Sequence, residues 1–429
     1  MNEHGSQLVT RESRLLRGAE TRAGVNDGGW RAMSSRLVPR HEGTRALALA
    51  APLLVLLIVS FGIPIISLLS RAVYDPSISR ALPRTAETLR QAATEDPPGD
   101  EVFAALEADL KEDQARGTVF EFAKSLNSRL SGARSQVLKT ARLLASGTSP
   151  SRSELIDAIP FWGEKQTWST IRGGVHGFTS FYLLSALDLR WGVNGSLDFV
   201  PAGEAVFLRV FARTFMVAAL VTLATLALGF PLAYLISNLP LARANLVLVL
   251  VLLPFWTSIL VRTAAWTVLL QKFGLLNDAL IALGITSERL ELMYSRLGLI
   301  IAMTHIQLPF TLLPIYSVMR SISPSQLRAA HSLGARPLTA FRRVYLPQAL
   351  PGVMAGCLLT FILCLGYYIT PALIGGASDQ LISNFIANYV NVDLNWEMAA
   401  ALSFMLLAFT LLLYAAFARF LGLDRFKLV

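Results

Sequence analysis

The sequence predicts an all-α polytopic membrane protein with six transmembrane helices and a long helical insertion between the first two. Three observations carry this. Of the 429 residues, 53% are hydrophobic and 16% charged, whereas soluble domains carry about 25% charged residues. Six apolar stretches reach the roughly 20 residues that cross a bilayer as a helix. The arginines flank those stretches unevenly, which is a signature of topology, so the net charge of +9 does not point to nucleic acid.

Taken in order, residues 1–45 are polar, rich in Gly and Arg and without apolar periodicity. They are expected to form a disordered tail. They do not read as a secretory leader, because the tail and the apolar run after it are both too long and no small-residue cleavage site follows. The first span is expected over 46–70, with Pro52 and Pro64 inside it. Prolines are tolerated in such helices when neighbours re-satisfy the freed backbone groups.

Residues 71–203 form the insertion. Val102, Phe103, Leu106 and Leu110 recur at helical spacing, as do Val119, Phe122, Leu126, Leu130, Ala133, Val137, Ala141 and Leu144. They predict helices over 101–116 and 119–144, the second open to a break at Gly132. A shorter helix is expected over 178–187. The insertion should therefore be a small helical cap with a core of its own.

The core of the chain runs over 204–429, with further spans at 214–236, 245–270, 298–318, 352–374 and 398–420. The third is interrupted by Pro254 and the fourth holds Pro309 and Pro314. Cys357 and Cys364 share the fifth and lie about 10 Å apart along a helix, too far for a disulfide. The loop at 321–351 and its flank carry Arg320, Arg328, Arg336, Arg342 and Arg343 without an acidic residue, and the C-terminal tail adds Arg425 and Lys427. The loop between the last two spans carries Asp379, Asp393 and Glu397 without Lys or Arg. Positive loops stay in the cytoplasm. Both termini and the arginine-rich loop are thus expected inside, and the insertion outside.

The arginine-rich loop has an internal order. Ser323 and Pro324 suit the N-cap and first position of a helix. Leu327, Ala330 and Leu333 fall three apart on one face, and Gly334 stands where a left-handed cap can end the helix. Pro347 and Pro351 are expected to interrupt the chain before the fifth span. Arg328-Ala329-Ala330, three residues, Gly334, nine residues, then Val344-Tyr345-Leu346-Pro347 resembles the cytoplasmic EAA loop of ABC-importer permeases, with Arg328 in place of the glutamate. Further stretches are similar to the polyamine-type (spermidine/putrescine) branch of that family. They are Gly229-Phe230-Pro231-Leu232-Ala233-Tyr234, Leu253-Pro254-Phe255-Trp256-Thr257-Ser258 with Val261-Arg262-Thr263, Gly274-Leu275-Leu276-Asn277, and Ile382-Ser383-Asn384-Phe385-Ile386 with Asn395-Trp396.

The resemblance covers the chain from about residue 204 onward, plus the first span. It implies the type I ABC-importer permease fold in a bacterial inner membrane. It also implies a second permease subunit, a dimer of cytoplasmic ABC ATPases and a periplasmic solute-binding protein as partners. ATP and Mg would be bound by the ATPase, and this chain would hold no cofactor. Arg328, Ala329, Ala330, Leu333, Gly334, Leu346 and Pro347 would form the ATPase-coupling element. Polyamines are the first substrate class implied, with opines, aminoethylphosphonate and iron served by relatives.

The chain itself carries no enzyme constellation: no HExxH, no GxSxG and no GxxxxGK[ST] occurs. The stretch Leu130-Ser131-Gly132-Ala133-Arg134-Ser135-Gln136 is similar to the signature loop of ABC ATPases, but without a phosphate loop it supports no ATPase reading. A secondary transporter would need intramembrane coupling carboxylates and an inverted repeat, and neither is read. Arg262 is the charge placed deep in a span, where it either faces a partner or a water-filled path or snorkels to the interface. His305 suits an interhelical hydrogen bond. Trp256, Trp266, Tyr367 and Tyr368 either line a path for a cation through their ring faces or pack at interfaces.

Overall fold

The computed structural model describes residues 40–91, 97–147, 149–192 and 196–421. The expected tail lies outside the described residues as far as residue 39, and the C-terminal Arg425 and Lys427 lie outside them too. Within the described residues five helices are long and apolar enough to cross a membrane: Leu49–Ser70, Phe207–Asn238, Arg296–Ser321, Pro337–Leu365 and Trp396–Arg419. A bent pair, Leu241–Trp256 and Ile259–Leu269, supplies a sixth crossing if it is taken as one span.

The bent pair stands where the third span was expected over 245–270, and the interruption at Pro254 is a sharp bend. The two halves meet at 97°. Pro254 cannot donate to the helix ladder, Thr257 is extended, and the Ser258 hydroxyl accepts from the Val261 amide at 3.2 Å, starting a new helix. The fifth span is also displaced. It begins at Pro337 rather than 352 and ends at Leu365, where Gly366 separates it from a short helix, Ile369–Ile374.

Pro347 and Pro351 do not interrupt the chain. A five-residue π segment, Phe341–Tyr345, widens the turn just ahead of Pro347, and the Leu346 amide bonds back to Phe341. The Gln348 side chain donates to the Val344 carbonyl at 2.7 Å. The first span repeats the device, with a π segment at Ile58–Gly62 ahead of Pro64 and the Ile63 amide bonded to Ile58. A widened turn relieves the clash of the proline ring with the carbonyl four residues back. The first span's helix starts at Arg40, within the stretch expected as tail, and its apolar side chains are exposed.

The second, fourth and fifth spans pack into one core. Gly352 and Gly356 form a GxxxG pair that brings two backbones together: a Cβ at Gly356 would lie 2.5 Å from the Thr311 carbonyl oxygen, and one at Gly352 2.8 Å from that of Pro314. At the same crossing the buried hydroxyls of Thr225, Thr311 and Thr360 bond in series at 2.8 and 2.6 Å. Each span thus donates one polar group that another satisfies.

The insertion has a separate core. Helices Asp100–Arg116, Val119–Arg129, Ala133–Ala145 and Lys165–Val175 bury Leu106, Leu110, Phe122, Leu126, Trp162 and Trp168. Gly132, at φ +85°, separates the middle two. Both buried indoles are satisfied, Trp162 on the Thr140 hydroxyl at 2.8 Å and Trp168 on the Trp162 carbonyl at 2.7 Å.

Two carboxylates anchor the insertion, one tying its start to its later helices and one tying it to the second span. Asp75, just after the first span, accepts from Arg129 at 2.6 Å and Tyr182 at 2.8 Å, and the acid and the guanidinium are nearly fully buried. Burial pushes the Asp75 carboxyl up, but Arg129 and Ser77 outweigh it and hold it below the ordinary carboxylate range. Asp188 takes φ +52° and accepts the amides of Val206, Phe207 and Leu208 at 3.0, 3.1 and 2.7 Å. It therefore caps the second span from outside the helix. Beside it a small hairpin pairs strand β1 (Leu189–Trp191) with β2 (Leu197–Phe199), an element the sequence reading omitted.

Candidate functional site

The arginine-rich loop folds as a helix, Pro324–Ser332, with Ser323 as N-cap accepting from the Ser325 amide and Pro324 in the first turn. Its end is a double-bonded left-handed cap. The Gly334 amide donates to the His331 carbonyl at 2.9 Å and the Ala335 amide reaches the Ala330 carbonyl at 3.0 Å. Gly334 sits at φ +83°, a region that side chains with a Cβ enter at a cost of about 1–2 kcal/mol.

The apolar face is smaller than its spacing implies. Leu327 packs on the buried cluster around Tyr345 and Ala349, and Ala330 is half-buried. Leu333 stands at the C-cap, beyond the helix, and is 88% exposed; Leu338, on the far side of Gly334, is 67% exposed. Arg328 and Ala329 are exposed beside them. Leu346 and Pro347 lie at the start of the fifth span, Leu346 half-buried and Pro347 exposed. The residues expected to couple to an ATPase thus fall into two groups: a surface group from Arg328 to Gly334, and a root made by the turn before Pro347.

That root is fastened to the second span. Tyr234 stacks edge-on to Phe341 and Tyr345 at centroid distances of 5.8 and 5.3 Å, and Arg320 donates to the Ser237 carbonyl at 2.8 Å. Three spans therefore meet at the base of one short helix, whose outer side is open.

Of the residues weighed for a path through the membrane, Trp266 and His305 are in direct contact. The Trp266 indole donates to His305 Nδ1 at 3.1 Å, and the Tyr367 carbonyl accepts from the Ser383 hydroxyl at 2.6 Å. The Arg262 guanidinium lies 5.1 Å from the Phe255 ring centre, and Phe255 meets Phe310 edge-on at 5.0 Å. Phe255 and Arg262 stand seven residues apart, on one face of a straight helix but about 10.5 Å along it; the chain bends between them. The Arg262 Nε is buried without a hydrogen-bond partner. Its charge is thus satisfied by a ring face more than by acceptors. Trp256 is 79% exposed and Tyr368 is half exposed, its carbonyl accepting from Asn384 at 2.8 Å.

Sequence reasoning also missed a clamp across the other end of the core. Arg213, on the second span, donates to the carbonyls of Ser378 and Gln380. Arg296, on the fourth, donates to the buried Asp379 carboxylate at 2.8 Å. The charges were legible as flanking arginines, but their shared target, the loop after Ile374, was not.

Comparison with known proteins agrees with this architecture. A family model described as "Binding-protein-dependent transport system inner membrane component" matches residues 206–422. The spermidine/putrescine transport system permease protein PotB of Escherichia coli is 34% identical over 204 residues, 47% of this chain and 74% of that protein. The inner membrane ABC transporter permease protein YdcU of the same species is 35% identical over 237 residues, 52% of this chain and 74% of that one. A crystal structure of a bacterial ABC transporter that imports alginate aligns at 19% identity and a TM-score of 0.42 over 50% of this chain and 79% of that one. With the matched region taking in the bent pair, the helix before Gly334 and every span but the first, the chain belongs to the family of binding-protein-dependent inner-membrane permeases of ABC importers.

Proposed function

We propose that this chain is the permease subunit of an ATP-driven importer for polyamines, and that the helix Pro324–Ser332 receives the force of ATP hydrolysis. The observation that carries the coupling role is the capped helix with exposed Leu333 and Leu338 around Gly334, rooted through Tyr234, Phe341 and Tyr345 in the second and fifth spans. An ATPase surface that grips the exposed leucines moves the helix. The aromatic root passes that motion to the packed spans, whose GxxxG and threonine contacts favour rigid displacement over bending.

In this reading the partners are a dimer of ABC ATPases, which bind ATP and Mg, a second permease subunit and a periplasmic solute-binding protein. Both termini and the coupling helix face the cytoplasm and the insertion faces outward, as the arginine distribution directs. The polyamine assignment rests on the PotB relatives at 33–34% identity. A relative described as a putative 2-aminoethylphosphonate permease stands at 25%. Arg262, His305 and Trp266 lie on the path, where the ring face of Trp266 suits an ammonium group.

The test is Gly334→Val. A Cβ at Gly334 meets no atom of this chain within 4 Å, so the damage is confined to backbone strain and to the docked partner. Spermidine uptake should fall to near background in a strain dependent on this gene, while the amount of membrane-inserted permease stays normal. Gly334→Ala, with a smaller side chain, should retain part of the uptake. Wild-type uptake by the Val variant would refute the coupling role. Uptake that is abolished for Gly334→Val but never involved spermidine in the wild type would refute the substrate alone.

A further inference from the structure

The hairpin beside Asp188 is amphipathic. Its register pairs Leu189 with Phe199 and Trp191 with Leu197, while Arg190 pairs with Asp198. Because cross-strand partners share a face, one face holds Leu189, Trp191, Leu197 and Phe199 and the other holds the two charges. The apolar face is open: Phe199 is 74%, Trp191 56% and Leu197 53% exposed. The Trp191 indole donates to the Ser180 hydroxyl at 3.0 Å. This extends the patch toward Phe178, 71% exposed, and its ring neighbour Tyr74 just past the first span.

The height of this patch is set by hydrogen bonds. Asp188 immediately precedes β1, its carbonyl accepts from Val200 immediately after β2, and its carboxylate holds the first turn of the second span. The base of the hairpin is therefore pinned to the start of that helix. The helix has 32 residues, about 48 Å at 1.5 Å each, against a hydrocarbon core of about 30 Å. Arg209 and Arg213 in its first two turns mark where the excess protrudes. The pinned turn thus stands in the headgroup layer, the level that favours Trp and Tyr. Val206, just before the same helix, and Leu208 and Met216 within it are also exposed.

We propose that the apolar face of the hairpin is a lipid-contacting surface, resting in the headgroup layer and holding the insertion at a fixed height on the bilayer. That it is the outer leaflet follows from the proposed orientation; the contact itself does not depend on it.

The experiment uses the full permease assembled with its partners in lipid nanodiscs. In a Cys357→Ala, Cys364→Ala background, a single cysteine at Phe199, Leu197 or Asp198 carries an environment-sensitive fluorophore. Emission is read with lipids spin-labelled near the glycerol or near the acyl end, and with aqueous iodide. Probes at Phe199 and Leu197 should lose about half their emission to the shallow lipid quencher, less to the deep one, and be shielded from iodide. The probe at Asp198 should show the reverse preference. Iodide quenching at Phe199 equal to that at Asp198 would place the face in water and overturn the proposal. Protection of Phe199 from both lipid and iodide would mean that a protein partner covers it, which overturns it too.

Discussion

Arg262 shows how far a single residue's role depends on its neighbours. Its charge is held over the Phe255 ring at 5.1 Å while its Nε makes no hydrogen bond, an arrangement worth up to about 2 kcal/mol when desolvated. It does not need to snorkel along a straight helix, because the chain bends beneath it. Arg262→Ala should lower uptake about tenfold, the equivalent of roughly 1.4 kcal/mol, with the complex still assembling. Arg262→Lys, which keeps a cation over the ring, should lose less. The readout is uptake alongside co-purification of the ATPase; normal uptake by the Ala variant would remove Arg262 from the transport path. The residue itself was legible in the sequence as a charge inside an apolar run. Its partner was legible only in part: Phe255 and Arg262, seven apart, share a helical face, but their distance is set by the bend between them.

At the level of elements, the helix ends carry most of what local sequence can specify. Ser323-Pro324 and Gly334 mark the ends of the helix Pro324–Ser332 correctly because capping is a short-range matter of hydrogen bonds and backbone sterics. The second span is capped differently, by Asp188 from a separate strand-loop element, with three amides on one carboxylate. Asp188→Ala removes a charged acceptor from a helix N-terminus and a residue tolerant of positive φ, and should destabilise the joint by about 2–3 kcal/mol. Asp188→Asn keeps an acceptor and tolerates the same backbone region, so it should cost about half as much. Thermal unfolding of the purified permease and protease cleavage near the hairpin would check this; equal effects from the two variants would show that the cap is not the source.

For the whole molecule, the orientation is the statement on which the functional reading turns. A cysteine at Ser169, exposed on the insertion, and one at Ser332, exposed on the coupling helix, should react oppositely with an impermeant maleimide on intact cells. Ser169→Cys should label and Ser332→Cys should label only after the membrane is opened. Labelling of both on intact cells would contradict placing the insertion and the coupling helix on opposite sides. The insertion has a separate Trp-rich core and is tied to the start of the second span through Asp188, so the side it occupies reports the topology of that span.

The sequence by itself determined the membrane class, the approximate places of the spans and the capped helix Pro324–Ser332, because these follow from hydropathy, helical periodicity and turn chemistry within a few neighbouring residues; the family was legible as a resemblance of motifs. It also carried the GxxxG pair Gly352 and Gly356, which the reading passed over. Only the tertiary structure decided that prolines 64 and 347 sit in unbroken helices behind widened turns, that the third crossing is a 97° bend, and that Leu333 faces outward. The same is true of the contacts of Asp188 and Arg213 with residues remote in the chain. Whether a proline breaks a helix, and which acceptor a charge finds, depends on groups delivered by other elements, and no local pattern encodes those.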